Sequence, residues 1–255
     1  IEIITIADYF SLGNRAAAYS TIAPAVAGMA DWYVEPFVDY LISSKVGHWD
    51  KEIRVLAGKG IADIVPLNPQ LVLSRMNKLL KLCVSARLAN RHGATLAVAE
   101  VVLSLASIGA DIPTETADRI VGLISDFSSK RLYRGRGGEM LRQAAALLIE
   151  NIARASLPLS IKVQVQLVEV LNENMRQPHE YIQLSSAHAL RHFLFHYFPV
   201  TVEKGPSERL EELTTCKYLD GLKEAENAAV ARGYALAMGA LPAKFLLVDD
   251  TRLEE

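Results

Sequence analysis

The sequence predicts an all-α fold, a HEAT/armadillo-like α-solenoid of stacked antiparallel helical hairpins, and three observations carry the prediction. A helical motif of small residues returns six times in 255 residues. Between its copies lie second segments with apolar residues at helical spacing. Strand-like alternation is confined to one stretch, 161–170. A period of about 20 to 50 residues outranks length as a guide to architecture, because stacked units bury their apolar faces against neighbours rather than in one closed core.

The first three copies of the motif are Arg15, Ala18, Thr21 and Ile22, then Arg54, Ala57, Gly60 and Ile61, then Arg91, Ala94, Ala97 and Val98. The last three are Arg142, Ala145, Leu148 and Ile149, then Gln183, Ser186, Ala189 and Leu190, then Ala229, Arg232, Ala235 and Leu236. Their second positions are spaced by 39, 37, 51, 41 and 46 residues, scattered around the roughly 40 to 47 of HEAT and armadillo units. Offsets of three, six and seven put these side chains on one helical stripe. Small residues there let another helix approach closely. Inner helices are therefore expected near 11–28, 50–65, 90–107, 138–154, 180–197 and 226–241.

Outer helices are expected over 31–46, 69–86, 113–132, 159–176 and 207–222. Leu71, Met76, Leu79, Leu80 and Cys83 show the helical spacing in the second of these. Pro69, Pro113 and Pro206 stand at or just before helix starts, where a missing N–H costs least. The alternation of Val163, Val165, Leu167 and Val168 gives way at Leu171 to a helical reading. Residues 242–253 open a further unit. The whole is read as one segment, 1–255, of about five to six repeats, truncated at both ends and apolar there.

Composition bounds the function classes. Apolar residues make up 51%, the formal net charge is −2 and the pI is near 6.4, so no general attraction to nucleic acid or anionic membrane is expected. The alanine-rich run between Arg15 and Asp31 is too short and too interrupted by Pro24 to span a bilayer. Residues 1–6 lack the pattern of a signal peptide. Cys83 and Cys216 have no Cys or His at zinc spacing and read as reduced thiols of a cytosolic protein.

Several residues invite functional readings. The loop Tyr133, Arg134, Gly135, Arg136, Gly137, Gly138 and Glu139 runs into an inner helix, where backbone N–H groups and arginines suit an anion or a partner. It lacks the Gly-Lys-Ser/Thr ending of a phosphate-binding loop, so a positive-φ turn with exposed arginines is the simpler reading. Trp49, between His48 and Asp50, is either a binding anchor or a residue that packs its turn. Arg15, Arg54, Arg91 and Arg142 recur at one motif position and could form a ladder with acids of the next repeat. His188, His192 and His196 follow an i, i+4, i+8 spacing, yet no carboxylate or Cys completes a ligand set by spacing, so neither metal nor cofactor is expected. No nucleophile elbow, HExxH or Cys–His pairing points to catalysis.

Several of these segments resemble the tubulin-folding cofactor D family, also called tubulin-specific chaperone D. The likeness rests on residues 7–15 (Ala-Asp-Tyr-Phe-Ser-Leu-Gly-Asn-Arg), on His48, Trp49 and Asp50 followed by Ile53 and Arg54, and on Arg91, His92 and Gly93 with 97–100. Leu132 to Gly135, Gly137, Gly138 and Arg142 to Ala144 carry it most strongly, and 232–242 add a further segment; 159–222 match only loosely. The resemblance implies a non-catalytic cytosolic chaperone that holds β-tubulin and works with cofactors E and C, coupled to GTP hydrolysis by tubulin. It also implies an ADP-ribosylation-factor-like small GTPase as partner. On this reading Tyr133, Arg134, Arg136, Trp49, Arg91 and His92 are the candidate partner-binding residues. The alternatives are a HEAT-type transport or trafficking adaptor, and a nucleotide-binding regulator using the loop 133–139.

Overall fold

The computed structural model describes residues 1–10, 14–198 and 208–246, and among these all regular structure is helical. Where the sequence suggests one uninterrupted segment, two compact units emerge, Ile1–Ala155 and Ser156–Glu255.

In the first unit, α1 (Glu2–Phe10) precedes a first inner helix built of Arg15–Ala17, Ala18–Ile22 and Ala23–Ala27, together α2. Residues 11–13, where that inner helix was expected to begin, lie outside the described residues. The middle piece of α2 is π-wound, with the N–H of Ala23 reaching the carbonyl of Ala18. Pro24 follows directly: it offers no N–H to the Ser20 carbonyl and its ring crowds that oxygen, which a widened turn relieves. The first outer helix, α3, joins Asp31–Tyr40 to a second π-wound piece, Leu41–Lys45. Then come α4 (Lys51–Ile64), α5 (Pro69–Cys83), α6 (Leu88–Ser107), α7 (Thr114–Ser129) and α8 (Gly138–Arg154).

Local chemistry sets several starts. The Asp50 carboxylate accepts from the Glu52 N–H at 2.9 Å, and Asn68 accepts from Leu71 N–H at 3.0 Å with Pro69 in the first turn. Each satisfies a donor the helix itself leaves unpaired. The inner helices α2, α4, α6 and α8 pack side by side in chain order, while α5 packs on both α6 and α7.

In the second unit, α9 (Ile161–Met175) pairs with α10 (Glu180–Tyr197). The alternating stretch is helical because Ser160 caps it and Leu167, Val168, Leu171 and Met175 form one buried stripe. The expected outer helix near 207–222 is two helices, α11 (Glu208–Leu213) and α12 (Thr215–Lys223), with residue 207 outside the described residues. Thr214 breaks the chain with φ −128° and ψ −90°. The Leu213 carbonyl so released accepts from Asn172 Nδ2 at 2.8 Å, and buried Tyr218 donates to Asn172 Oδ1 at 2.6 Å. Helix α13 (Ala228–Ala240) packs on α10 and α12, and α14 (Ala243–Leu246) follows; residues 247–253 lie outside the described residues.

The small residues act as the motif suggests, but on more than one face. A Cβ on Gly58 would sit 3.2 Å from the Ala97 backbone, and one on Gly60 would sit 3.3 Å from the Tyr19 carbonyl, so α4 is tightly flanked by both neighbours. The closest approach in each unit is at another glycine. A Cβ on Gly93 would lie 1.8 Å from the Val46 carbonyl oxygen, and one on Gly233 would lie 1.8 Å from that of Met175. These contacts make Gly233 the counterpart of Gly93. The register that aligns Arg232 with Ala94 is therefore corrected by two residues, and Arg232 takes the place of His92.

Both glycines face backbone, which cannot swing aside as a flexible side chain can. Gly93→Ala and Gly233→Ala should each lower stability by about 3 kcal/mol through overpacking. Gly122→Ala, in α7 with open space around it, should raise it by roughly 0.5 to 1 kcal/mol. Urea unfolding of the three variants checks the ordering.

Candidate partner-binding surface

The turn before α4 presents Trp49, and the side chain that shapes it is Arg54. Its guanidinium is buried, with Nη1 donating to the carbonyls of His48 at 2.7 Å and Trp49 at 2.8 Å. Nε donates to His92 Nδ1 at 3.1 Å. Charged donors on buried carbonyls are among the stronger protein hydrogen bonds. The Trp49 backbone is thereby pinned while its side chain stays 83% exposed, beside the His48 ring at 5.4 Å. It does not pack its turn.

Arg91 repeats the arrangement one hairpin later, with Nη1 donating to the carbonyls of Ser85 and Ala86, both at 2.8 Å. Gln183 repeats it in the second unit, where Nε2 reaches the carbonyls of Gln177 at 2.7 Å and Met175 at 2.9 Å. Each of the three is the fourth residue of its inner helix. The expected arginine ladder is therefore corrected: Arg54 and Arg91 bind the carbonyls of their own turns. Arg15, the first residue of α2, shows the expected contact with acids of the next repeat, Asp50 at 3.6 Å and Glu52 at 3.1 Å. It also approaches Asp8 at 3.6 Å. Asp8 is buried and accepts from Tyr19 at 2.6 Å and Lys45 at 2.7 Å, two side chains carried by the π-wound pieces.

Of the candidate residues, His92 and Arg91 work inside the fold. His92 is 1% exposed and committed to Arg54. The loop before α8 is different. Gly135 and Gly137 have φ of +77° and +85°, and Arg134 and Arg136 are exposed. Tyr133 lies edge-on to Phe127 at 5.9 Å with the Arg142 guanidinium 4.9 Å from its ring centre. A Cβ on Gly137 would collide with Leu88, and one on Gly138 with the Tyr133 carbonyl. The loop is thus a built turn on the start of α6. It shares that place with the Trp49 turn, where a Cβ on Gly47 would meet Asn90 Oδ1 at 2.3 Å.

This geometry belongs to a chain that is similar to a curated protein. It is 27% identical over 155 residues to tubulin-specific chaperone D of Dictyostelium discoideum, covering 60% of this chain and 10% of that protein. The chain is a distant relative of tubulin-specific chaperone D. The segment matched spans about a tenth of that chaperone's length. No protein-family model matches the chain. Two engineered proteins of known crystal structure share 14% and 15% identity with TM-scores of 0.47 and 0.46, covering 95% and 96% of this chain and 98% of each of theirs. At those scores they carry no argument, and the fold of this chaperone D relative rests on its own helices.

The remaining sequence candidates are histidines and cysteines. His188 and His196 are exposed and His192 is half-buried, with the His188 and His192 rings 5.2 Å apart. Cys216 is exposed, whereas burial pushes the Cys83 thiol up to about 12. Among the described residues, no helix is long and apolar enough to cross a membrane.

The role of Arg54 was missed by sequence reading. The available signal was a long polar residue, Arg54, Arg91 or Gln183, at one helix position just after a turn.

The Arg54–His92 pair makes stability depend on pH. Burial first, then the charges of Arg54 and Lys51, pushes His92 down to about 3, against about 6.5 in an unfolded chain. Between those values the unfolded state binds the extra proton. This site's contribution is full above pH 6.5 and is lost as pH falls, by up to about 1.4 kcal/mol per unit. The urea midpoint should drop from pH 7 to pH 5, and His92→Gln, which can accept from Arg54 as Gln183 accepts from Arg232 at 2.7 Å, should flatten that slope.

Proposed function

We propose that this chain is a segment of a tubulin-assembly scaffold. In it, stacked helices present contacts by which a longer chaperone holds β-tubulin and helps assemble or dismantle αβ-tubulin heterodimers. The observation that carries this reading is the 27% identity to tubulin-specific chaperone D. Cofactors E and C and an ADP-ribosylation-factor-like small GTPase are the accompanying partners, and GTP hydrolysis is performed by tubulin rather than by this chain. The setting is the cytoplasm. Chaperoning of this kind is differential binding: the scaffold shifts tubulin between states only by its unequal affinity for them.

The contacts assigned to the partner are Trp49, Tyr133, Arg134 and Arg136. Trp49 has the properties of an anchor, a large amphipathic ring on a backbone already immobilised by Arg54, so little order is lost on binding. Arg91 and His92 support that surface from within.

The test is equilibrium binding of the purified chain to β-tubulin and to cofactor E. Trp49→Ala should weaken tubulin binding about tenfold or more while leaving the melting temperature unchanged, since the indole is 83% exposed. Failure to bind either protein removes the reading. Micromolar binding of labelled GTP by the isolated chain would move the assignment to a nucleotide-binding regulator using 133–139.

A further inference from the structure

Unit Ile1–Ala155 carries solvent-accessible arginines of two kinds. Arg75 is bound to Asp39 and Glu35, and Arg119 to Asn77, so their charges are engaged on the outer helices. Arg87, Arg131, Arg134 and Arg136 are exposed and, among the described residues, have no ion pair and no side-chain hydrogen bond. All four lie on segments that meet at the start of α6. Arg87 is the N-cap residue of α6, whose Leu88 fills the space beside Gly137, and the other three belong to the loop that Gly137 ends. Trp49 flanks the same first turn of α6 through the contact of its turn with Asn90. In a chain of net charge −2, this concentration is local.

Arg131 adds an independent sign. It has φ of +55° at the end of α7, where Leu132 N–H closes back on the Phe127 carbonyl at 2.8 Å. Gly109 fills the matching position after α6 with φ of +66°, and Ala110 N–H closes on the Leu105 carbonyl at 3.0 Å. An L-residue is disfavoured in that conformation, and glycine is its usual occupant. An arginine held there at a cost to the backbone marks a site where the side chain has a use.

We infer that Arg87, Arg131, Arg134 and Arg136 form a docking strip for an acidic, extended peptide segment of a protein partner, with Trp49 as its apolar anchor. Planar guanidinium groups pair bidentately with carboxylates. The acids Asp50, Glu52 and Glu139 border the strip, so it accommodates a short run of Asp and Glu between them rather than the continuous phosphate track of a nucleic acid. The inference rests on reading the loop 133–139 as a contact site, and it does not depend on the partner being tubulin.

The experiment is fluorescence anisotropy of the 255-residue chain with three labelled probes: a dodecamer of glutamate, a dodecamer of glutamine and a single-stranded oligonucleotide of equal charge. Saturable binding of the glutamate peptide that weakens as salt rises, without comparable binding of the other two, is expected. Arg134→Glu with Arg136→Glu should weaken it about tenfold or more with the melting temperature unchanged. Arg131→Gly should raise the melting temperature yet weaken binding about threefold, an outcome that a merely structural arginine would not produce. No binding of the glutamate peptide, equal or tighter binding of the oligonucleotide, or indifference to the double reversal overturns the inference. If the glutamate peptide binds and β-tubulin does not, the strip stands and the tubulin reading falls; the opposite result separates them the other way.

Discussion

The carbonyl oxygens that end each outer helix and line the following turn are the constraint around which the hairpins are organised. A helix leaves its last carbonyls without intrahelical partners, and here those oxygens and those of the following turn lie beside the next inner helix. Long polar side chains from the fourth position of the inner helix meet them. Arg54 takes His48 and Trp49, Arg91 takes Ser85 and Ala86, and Gln183 takes Met175 and Gln177. The next inner helix then passes close over the same stretch of backbone. Glycine makes that possible at Gly93 over Val46 and at Gly233 over Met175.

The same interaction recurs with its chemistry exchanged. In the first unit Arg54 donates to His92, and in the second Arg232 donates to Gln183. Geometry is kept while the cation moves from one helix to its neighbour. This is why a search for a repeated arginine finds only part of the pattern: the position requires a donor for carbonyls and a hydrogen bond across to the next helix, which several residue pairs supply. The arrangement also explains how a buried histidine is tolerated. As a neutral acceptor His92 satisfies Arg54, and protonation would set two cations face to face.

Side chains that hold the fold and side chains left in solvent separate cleanly along this edge. Arg54, Arg91 and His92 are spent inside the fold: Arg54, backed by His92, holds the turn that carries Trp49, and Arg91 holds the turn at Ser85 and Ala86. The glycines of 135–138 act likewise, fixing a loop whose arginines stay in solvent. Under the proposed function such a surface would bind without much reordering, because its backbone is already held in place. The scaffold role proposed above depends on such preformed contacts, because affinity must then distinguish one client state from another.

The sequence by itself determined the helical nature of the chain, the alternation of inner and outer helices and their approximate limits, since these follow from periodicity, small-residue spacing and caps such as Asp50 and Asn68. The glycine-rich loop was also visible there, because positive φ leaves a mark in the choice of residue. Tertiary structure alone decided the rest. Whether Arg91 faces solvent or a carbonyl, whether Trp49 packs or projects, and whether Gly233 or a residue two positions away matches Gly93 all depend on which groups a neighbouring helix leaves unsatisfied. The break at Thr214 belongs to the same class: it answers a demand from a distant residue, Asn172, that no local pattern encodes.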